Sequence, residues 1–318
     1  MQPAVPSPPH ESSAIETNEA AFVETSEYRR FVEFCDACRR YRYIGLCYGP
    51  PGVGKTLSAR QYSRADLLLN VDPWLDPPLD PPLPDTVFYT TGIINTPSRV
   101  ASDLARARER LLGLAQRPIV RESTAVLETI RVSDEAKRRE ILDTPGCSPC
   151  DRPAVDPLYF QTYQAFQARK KEVKDPTSLI VVDEADRLQM NSLEQLRSCF
   201  DGGGVGMILI GMPGIEKRVA RFPQFYSRIG FVHEFRPLTP EEMRSLLERH
   251  WAPVGVRLPE NTFTPEVVAR LIRITSGNLR LLTRLLTQIE RLLNVNDAQA
   301  VSLDIVEAAR DSLVIGQA

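Results

Sequence analysis

The chain has 318 residues, of which 42% are apolar, enough for a packed core in one large or two small domains without disulfide support. Its formal net charge is -2, so it is no polycation, and any nucleic-acid contact has to come from local basic patches. It contains no run of 18 apolar residues, and its N-terminus lacks the basic start and apolar block of a signal peptide. We therefore expect a cytoplasmic protein that does not enter the membrane.

The first part of the chain alternates between strand and helix patterns. Residues 1–25 are rich in Pro, Ser and Glu and predict a disordered tail, and a helix is predicted over about 26–41. The apolar run "YIGLCYG" predicts a strand that ends at a glycine-rich loop, with a helix from Lys55 to about Ala65. Residues 71–85, "VDPWLDPPLDPPLPD", predict a stiff polyproline-like surface excursion because proline excludes a helix or central strand. The next strand is "TVFYTT".

Beyond that strand, "PSRVASDLARARERLLG" predicts an amphipathic helix with proline near its start. We interpret residues 117–176 as an insertion that contains two further helices, "STAVLETIRVSDEAKRREIL" and "PLYFQTYQAFQARKKEV". Buried strands follow at "SLIVVDEAD", "GMILIGMPG" and "FVHEFRPL", with the helix "SLEQLRSCF" between the first two. This alternation predicts a parallel α/β sheet flanked by helices over residues 26–238, and the patterns in 239–318 predict a small helical domain.

Two C-x-x-C pairs raise the question of a zinc site, because four thiolates can bind zinc if the pairs meet in space. Cys35 and Cys38 continue a helical apolar stripe, which favours two small core side chains. Cys147 and Cys150 lie in the Pro/Gly loop "DTPGCSPCDRP", which is compatible with a metal knuckle or a redox-labile turn. We expect reduced cysteines, with zinc at Cys147 and Cys150 as the open alternative.

The stretch "GPPGVGKT" matches the phosphate-binding pattern G-x-x-x-x-G-K-[ST] and stands between a predicted strand and a predicted helix. Its glycines let the backbone turn N–H groups towards a polyphosphate at a helix N-terminus, whose dipole favours anions. Lys55 is expected to contact the β- and γ-phosphates, and Thr56 to ligate Mg²⁺. The predicted nucleotide-binding residues here are Gly49, Pro50, Pro51, Gly52, Val53, Gly54, Lys55, Thr56 and Leu57.

The second half of this site is predicted where the buried strand of "LIVVDEAD" ends. Asp183 suits the Mg²⁺ shell, and Glu184 can orient or deprotonate the water that attacks the γ-phosphoryl group. A carboxylate that can orient or deprotonate a water molecule favours hydrolysis over phosphoryl transfer to another substrate. The sequence therefore predicts an ATPase that uses ATP and Mg²⁺, with Lys55 and Glu184 as catalytic residues.

Two arginines are further candidates for contact with the nucleotide. Arg228, in "FYSRIG", precedes the last strand, and Arg280, in "SGNLRLL", lies near the start of a helix in the C-terminal domain. An arginine supplied by a neighbouring subunit accelerates hydrolysis by stabilising transition-state charge. A second arginine on a mobile helical lid can report whether nucleotide is bound.

The ordered set "GPPGVGKT", "VVDEAD", "GMPG", "YSRIG" and "SGNLR", followed by a helical domain, resembles the AAA+ ATPases over roughly residues 26–315. Within them, "RYIGLCYGPPGVGKT" and "LIGMPGIEKRVARFPQFYSRIGFVHEFRPLT" are most similar to the transposition regulators of the TniB, TnsC and Mu B group. The resemblance implies a P-loop fold with a C-terminal helical lid. It also implies a bacterial, mobile-element protein that forms a ring or helical filament on duplex DNA. Its implied partners are a transposase and a target-selection protein.

The resemblance also assigns roles to single residues. It implies that Arg228 is a catalytic arginine finger, with Arg218 and Arg221 as fallback candidates, and that Arg280 is the lid sensor. These proteins usually place Asn, Thr or Ser at the end of the "GMILIGM" strand, where this chain has Met212. Because a thioether accepts hydrogen bonds only weakly, we expect slow ATP turnover that DNA or oligomerisation stimulates.

The sequence indicates DNA contacts less clearly than nucleotide binding, because each cluster of basic residues is interleaved with acidic residues. The resemblance places the loop after "TVFYTT" and the following helix at the pore of related rings. With no recognition-helix signature, we expect phosphate contacts that are weakly sequence-selective and sensitive to salt. The candidate DNA-binding residues are Thr96, Ser98, Arg99, Arg106, Lys137, Arg138 and Arg139.

Three functions stay open on the sequence. The leading hypothesis is a regulator of transposition that assembles on duplex DNA, marks the target and recruits or activates a transposase, with ATP hydrolysis controlling disassembly. The first alternative is a replication-initiator or clamp-loader-like ATPase, for which we would expect an origin-reading domain after the lid. The second is an ATP-switched interaction module that does not bind DNA.

Overall fold

A parallel β-sheet organises the part of the chain that carries the predicted phosphate loop. The structure is a computed structural model that describes residues 22–70, 83–142, 157–249, 256–259 and 263–313. The strands are β1 Ile44–Tyr48, β2 Thr86–Thr90, β3 Leu179–Asp183, β4 Gly206–Gly211 and β5 Ile229–Glu234. They are hydrogen-bonded in the order β2-β3-β4-β1-β5, and every pairing is parallel. The predicted fold class is therefore confirmed.

Two compact units make up the chain, Glu27–Arg236 and Pro237–Ala318 together with Met1–Ser26. The sheet and the predicted phosphate loop belong to the first unit. The α-helices described before Pro237 are α1 Ser26–Tyr41, α2 Lys55–Ser63, α3 Ala65–Asn70, α4 Pro97–Leu142, α5 Pro157–Glu172, α6 Met190–Gly203, α7 Ile215–Val219 and α8 Pro223–Tyr226.

Residues of β3 alternate between two hydrophobic layers, as the two-residue period of a strand requires. Ile180 and Val182 belong to a layer with buried residues of α4 and α6, whereas Leu179 and Val181 belong to a layer with residues of α1 and α2. All five residues of β3 are buried, so the strand is covered on both faces. This burial holds the carboxyl end of β3 in place, and the predicted acidic pair lies there.

Cys35 and Cys38 are fully buried in the layer formed with α1. Burial raises the pKa of the Cys38 thiol to about 12 and also raises the pKa of Cys35. Both are therefore neutral core side chains rather than metal ligands. Cys147 and Cys150 lie outside the described residues, and within the described ranges no group of three or more His, Cys, Asp or Glu side chains could hold a metal.

The long helix α4 corrects one prediction. The sequence predicted separate helices on either side of residue 117, but α4 runs continuously for 46 residues with Pro118 inside it. Proline removes one backbone N–H, yet tertiary packing outweighs that loss because α4 buries Leu104, Leu111 and Leu114 and packs against α5 and α6. Of the proline-rich excursion 71–85, only the last three residues are among those described.

The second unit is helical throughout its described secondary structure, with α9 Pro240–Glu248, α10 Pro265–Thr275, α11 Leu279–Val295 and α12 Leu303–Asp311. Each helix begins at a side chain that accepts a backbone N–H of the first turn. These N-caps are Thr239, Thr264, Asn278 and Ser302. Such caps stabilise a helix by about 1 kcal/mol each. The apolar faces of the four helices share one hydrophobic core.

Candidate functional site

The predicted phosphate loop connects the end of β1 to the start of α2. Gly54 is the N-cap of α2 with φ 108°, a left-handed conformation that favours glycine. At Gly49, a Cβ atom would lie 2.2 Å from the carbonyl oxygen of Phe235, so a larger residue cannot fit. Val53 is buried in the core and anchors the loop. The N-cap residue Gly54 has no side chain that could cap α2, which leaves first-turn N–H groups for an anion.

Lys55 places its positive charge within the loop. Its Nζ donates hydrogen bonds to the carbonyl oxygens of Gly49, at 2.6 Å, and Pro50, at 2.8 Å. Thr56 and Leu57 continue the first turn of α2, and Leu57 is exposed. The loop backbone, the helix N-terminus and one ammonium group therefore occur together in one loop, which is suited to a polyphosphate.

Asp183, the last residue of β3, carries a buried carboxylate. Its Oδ1 accepts the backbone N–H of Glu184 at 2.9 Å, whereas its Oδ2 is buried and has no hydrogen-bond partner in the described part of the chain. Burial raises the pKa of Asp183, and the neighbouring Thr56 hydroxyl and Lys55 ammonium offset part of this rise. These electrostatic contacts bring the end of β3 and the phosphate loop into one site.

The residues at this point fit a magnesium ion. Mg²⁺ binds oxygen ligands, and in the described part of the chain the buried Oδ2 atom of Asp183 lacks the partner that a buried polar atom normally has. Thr56 lies close enough to Asp183 to lower its pKa, so a hydroxyl and a carboxylate are available together. Asp183 and Thr56 are therefore the residues that would hold the ion, as the sequence predicts.

Glu184 occupies a strained turn directly after β3. Its φ is 54°, in the left-handed region that costs a non-glycine residue of order 1–3 kcal/mol and that clusters at functional sites. Its carboxylate forms an ion pair with Arg187, and both side chains are partly exposed. Sequence reasoning missed Arg187, although its spacing of three residues from Glu184 is the one at which side chains meet within a helical turn.

The turn that follows Glu184 is tied to three other parts of the first unit. Asp186 Oδ1 accepts the backbone N–H of Met212, at the end of β4, at 3.2 Å. Arg218 donates to the carbonyl oxygens of Asp186 and Leu188. Asn95 donates to the carbonyl oxygen of Arg187 at 3.0 Å. Arg218, a fallback candidate for the arginine finger, is therefore engaged within its own chain, and Met212 is linked to the turn through its backbone.

The two predicted arginines lie in different units. Arg228 makes a two-point ion pair with Asp201 of α6, at 2.6 and 2.8 Å, and this pair lowers the pKa of Asp201. Arg280 lies exposed in the first turn of α11. Arg221 is also exposed. The roles of Arg228 and Arg280 towards nucleotide stay predictions.

The candidate DNA-binding residues fall into two separate groups. Thr96, Ser98, Arg99 and Arg106 lie at the start of α4, where Arg99 pairs with Asp103 at 3.1 Å. The remaining candidates, Lys137, Arg138 and Arg139, lie near its end. At 1.5 Å per residue, the two groups are roughly 55 Å apart along the helix. They cannot form one compact patch on a single copy of the chain.

Comparison with known sequences assigns the chain to a family. The family model described as "AAA domain" matches residues 38–219, more than half of the chain. A "Potential ATP-binding protein" of Staphylococcus aureus is 38% identical over 304 residues, which cover 94% of this chain and 99% of that protein. The chain therefore belongs to the AAA domain family, and the matched range contains both the phosphate loop and the end of β3.

The chain also has more distant similarities. The Mu-like prophage FluMu DNA transposition protein B of Haemophilus influenzae is 22% identical over 271 residues, covering 83% of this chain and 71% of that protein. Cdc6p of Pyrobaculum aerophilum shares the fold with a TM-score of 0.55 and 13% identity, covering 94% of this chain and 70% of that one. The Aeropyrum pernix ORC1 protein, solved in complex with DNA, aligns with a TM-score of 0.49 and 18% identity; the match covers 90% of this chain and 64% of that chain.

None of the described helices combines the length and the apolar character needed to cross a membrane.

Proposed function

We propose that this chain is an ATP-dependent, DNA-binding regulator of DNA transposition. It oligomerises on duplex DNA as a ring or helical filament, marks the target and recruits or activates a transposase, and ATP hydrolysis controls its disassembly. A bacterial mobile element is its proposed origin, the cytoplasm its proposed location, and a target-selection protein a further proposed partner. The similarity to a Mu-like transposition protein B supports the transposition role.

One observation carries the hydrolysis step: the buried Asp183 carboxylate lies within electrostatic reach of both Lys55 and Thr56, with Glu184 next in sequence. Lys55 and the loop N–H groups bind the β- and γ-phosphates. Thr56 and Asp183 would hold Mg²⁺, which would neutralise part of the phosphate charge. Glu184 orients the attacking water once its carboxylate leaves Arg187.

Residues beyond the loop complete the proposed mechanism. Arg228 of a neighbouring copy stabilises the charge that develops on the γ-phosphoryl group, and Arg280 reports the presence of nucleotide. Arg228 is held by Asp201 within its own chain. When subunits meet, Arg228 therefore has to leave Asp201, or keep that contact and bind the neighbouring nucleotide as well. Turnover is therefore expected to be slow in the isolated chain and faster in the assembly.

Assembly on DNA tests the proposal. Purified protein is mixed with duplex DNA and ATP or a slowly hydrolysed analogue, and complexes are followed by sedimentation and electron microscopy. Large assemblies are expected only with both DNA and nucleotide. Lys55→Ala should abolish them, and Glu184→Gln should preserve assembly but block release. A monomer whose ATP turnover ignores DNA would contradict the proposal.

The fold, shared with Cdc6p of P. aerophilum, is equally compatible with a replication-initiator or clamp-loader-like ATPase. Stimulation of DNA strand joining by a transposase encoded beside this chain would support the regulator. DNA-dependent ATPase activity without such stimulation would favour the second candidate. ATP-dependent assembly that no duplex alters would favour an interaction module without DNA binding.

A further inference from the structure

The carboxylate of Asp186 lies over the carboxyl end of β4. Its Oδ1 accepts the backbone N–H of Met212, the first residue after this strand, at 3.2 Å. The same oxygen lies beside Gly211, the last residue of β4, where an added Cβ would come within 3.0 Å of it. Glycine at this position therefore leaves room for the carboxylate at the end of the strand.

The sheet places Asp186 between the two halves of the candidate nucleotide site. Gly211 is aligned with Tyr48, the last residue of β1, and the phosphate loop begins directly after Tyr48. On its other side β4 pairs with β3, which ends at Asp183. Burial is the main cause of the raised pKa of Asp183, and the charge of Asp186 adds to it, so the two carboxylates are close. Asp186 therefore lies where parallel sheets bind their ligands, at the carboxyl ends of the strands.

The second oxygen of Asp186 is available for a further contact. Among the described residues no hydrogen bond or ion pair involves its Oδ2, and the side chain is partly exposed, so water can reach it. Arg218 donates to the carbonyl oxygen of Asp186 and holds the turn in place. The positive charge of Arg218 beside the turn also offsets part of the repulsion between this carboxylate and a polyphosphate.

The end of β4 needs an acceptor for a water molecule from a source other than Met212. Each hydrogen of an attacking water needs an acceptor, and Glu184, the proposed base, takes one of them. The side chain of Met212 is exposed at the end of β4, but its thioether accepts hydrogen bonds only weakly. The backbone N–H of Met212 instead holds a carboxylate at this place.

We propose that Asp186 is a further catalytic residue, whose Oδ2 accepts a hydrogen bond from the water that attacks the γ-phosphoryl group. The water oxygen bonds to the γ-phosphorus, and the bond from this phosphorus to the bridging oxygen breaks, its electron pair leaving with ADP. Glu184 takes one proton of the water. The other proton stays on the new phosphate and is hydrogen-bonded to Asp186, which orients the water without being protonated. The inference deepens the proposed function and rests on its hydrolysis step.

Steady-state kinetics of Asp186→Asn test this role. Asparagine keeps an oxygen for the Met212 N–H but replaces the second carboxylate oxygen by an amide group that only donates. We expect kcat for ATP hydrolysis to fall by about 10- to 100-fold, as for the loss of one hydrogen bond to a charged acceptor. Mg–ATP should bind at least as tightly, because a negative charge is removed.

The matched control is Glu216→Gln. The carboxylate of Glu216 accepts the backbone N–H of Gly214 at 2.8 Å, just beyond the same strand. This variant removes a carboxylate with a similar backbone contact, and its ATP turnover should equal that of the wild type.

A rescue experiment distinguishes water orientation from a structural role. Asp186→Ala removes the carboxylate, and Met212→Asn adds an amide oxygen at the end of β4. Met212→Asn should raise kcat several-fold in the Asp186→Ala protein and change it little in the wild type. A role confined to holding the turn would give no such rescue.

The other outcomes separate the failure of this inference from that of the proposed function. If Asp186→Asn hydrolyses ATP like the wild type, the inference is wrong while hydrolysis through Glu184 stands. If Asp186→Asn loses Mg–ATP binding and melts at a lower temperature, or if Met212→Asn gives no rescue, Asp186 is structural and the inference is again wrong. If the wild type hydrolyses no ATP, the proposed function fails and the inference fails with it.

Discussion

Replacing Asp183 by asparagine should stabilise the nucleotide-free protein while weakening its response to Mg–ATP. Among the described residues Oδ2 of Asp183 has no hydrogen-bond partner although it is buried, and burial raises the pKa of this carboxyl group. A buried charged oxygen without a partner destabilises the folded state. Asparagine keeps the shape and the acceptor for the Glu184 N–H but removes the charge.

The size of the effect follows from the unsatisfied atom. Leaving a buried polar group without a partner costs about 1–3 kcal/mol. The asparagine amide is also unsatisfied, although neutral, so we expect a net gain of about 1–2 kcal/mol. For a unit the size of Glu27–Arg236 this corresponds to a rise in Tm of roughly 2–8 °C.

The pH dependence follows from the same group. The folded-state pKa of Asp183 is raised, so the wild type loses stability as pH rises from the ordinary aspartate pKa through the raised value. The Asp183→Asn variant has no carboxyl group at this position and does not lose stability in this way. The difference in free energy of unfolding between the variant and the wild type should therefore be larger at pH 7 than at pH 4. Stability at both pH values can be measured by urea denaturation.

Thermal denaturation with EDTA, with Mg²⁺ and with Mg–ATP gives the decisive comparison. A ligand at 100 times its Kd stabilises the wild type by about 2.7 kcal/mol, and the variant should gain clearly less. The variant would then be the more stable protein with EDTA but not with Mg–ATP. The matched control is Glu184→Gln, which alters the neighbouring, partly exposed carboxylate. A variant less stable than the wild type with EDTA would refute the reasoning.

Three further predictions concern the surroundings of this site. Arg187→Ala should raise basal ATP turnover up to about fivefold, because its partly exposed ion pair with Glu184 is worth up to about 1 kcal/mol; unchanged or lower turnover would contradict it. Asn95→Ala removes buried hydrogen bonds worth about 3 kcal/mol and should lower Tm by roughly 6–12 °C. A decrease in Tm of less than about 2 °C would contradict this prediction. Arg228→Ala should lower turnover of the assembled protein by about 10³-fold, whereas Asp201→Ala, which breaks the same ion pair, should not.

The phosphate loop could be predicted from sequence because its geometry is encoded locally. Glycines at fixed positions allow the turn, and the strand before it and the helix after it are visible as apolar patterns. The buried strand with Asp183 at its end was equally visible, because a run of apolar residues predicts coverage on both faces. The parallel sheet followed from the same alternation of strands and helices.

The continuity of α4 was not predictable in this way. Pro118 is a local signal for a helix end, and the helical patterns on its two sides gave no reason to join them. The packing of α4 against α5 and α6 involves residues far apart in the sequence. Local propensity was therefore overridden by tertiary packing, which also separated the basic groups at the two ends of the helix.

By itself, the sequence predicted the candidate phosphate- and Mg²⁺-binding residues. The glycines, Lys55 and Thr56 stand at fixed spacing in one loop, and Asp183 ends a recognisable apolar strand. Only the tertiary structure decided how the turn that carries Glu184 is held. It placed Asn95 against the carbonyl oxygen of Arg187, 92 residues away, and against the N–H of Gln189, 94 residues away. Such hydrogen bonds form only when separate strands are brought side by side in the sheet, and no local pattern encodes that arrangement.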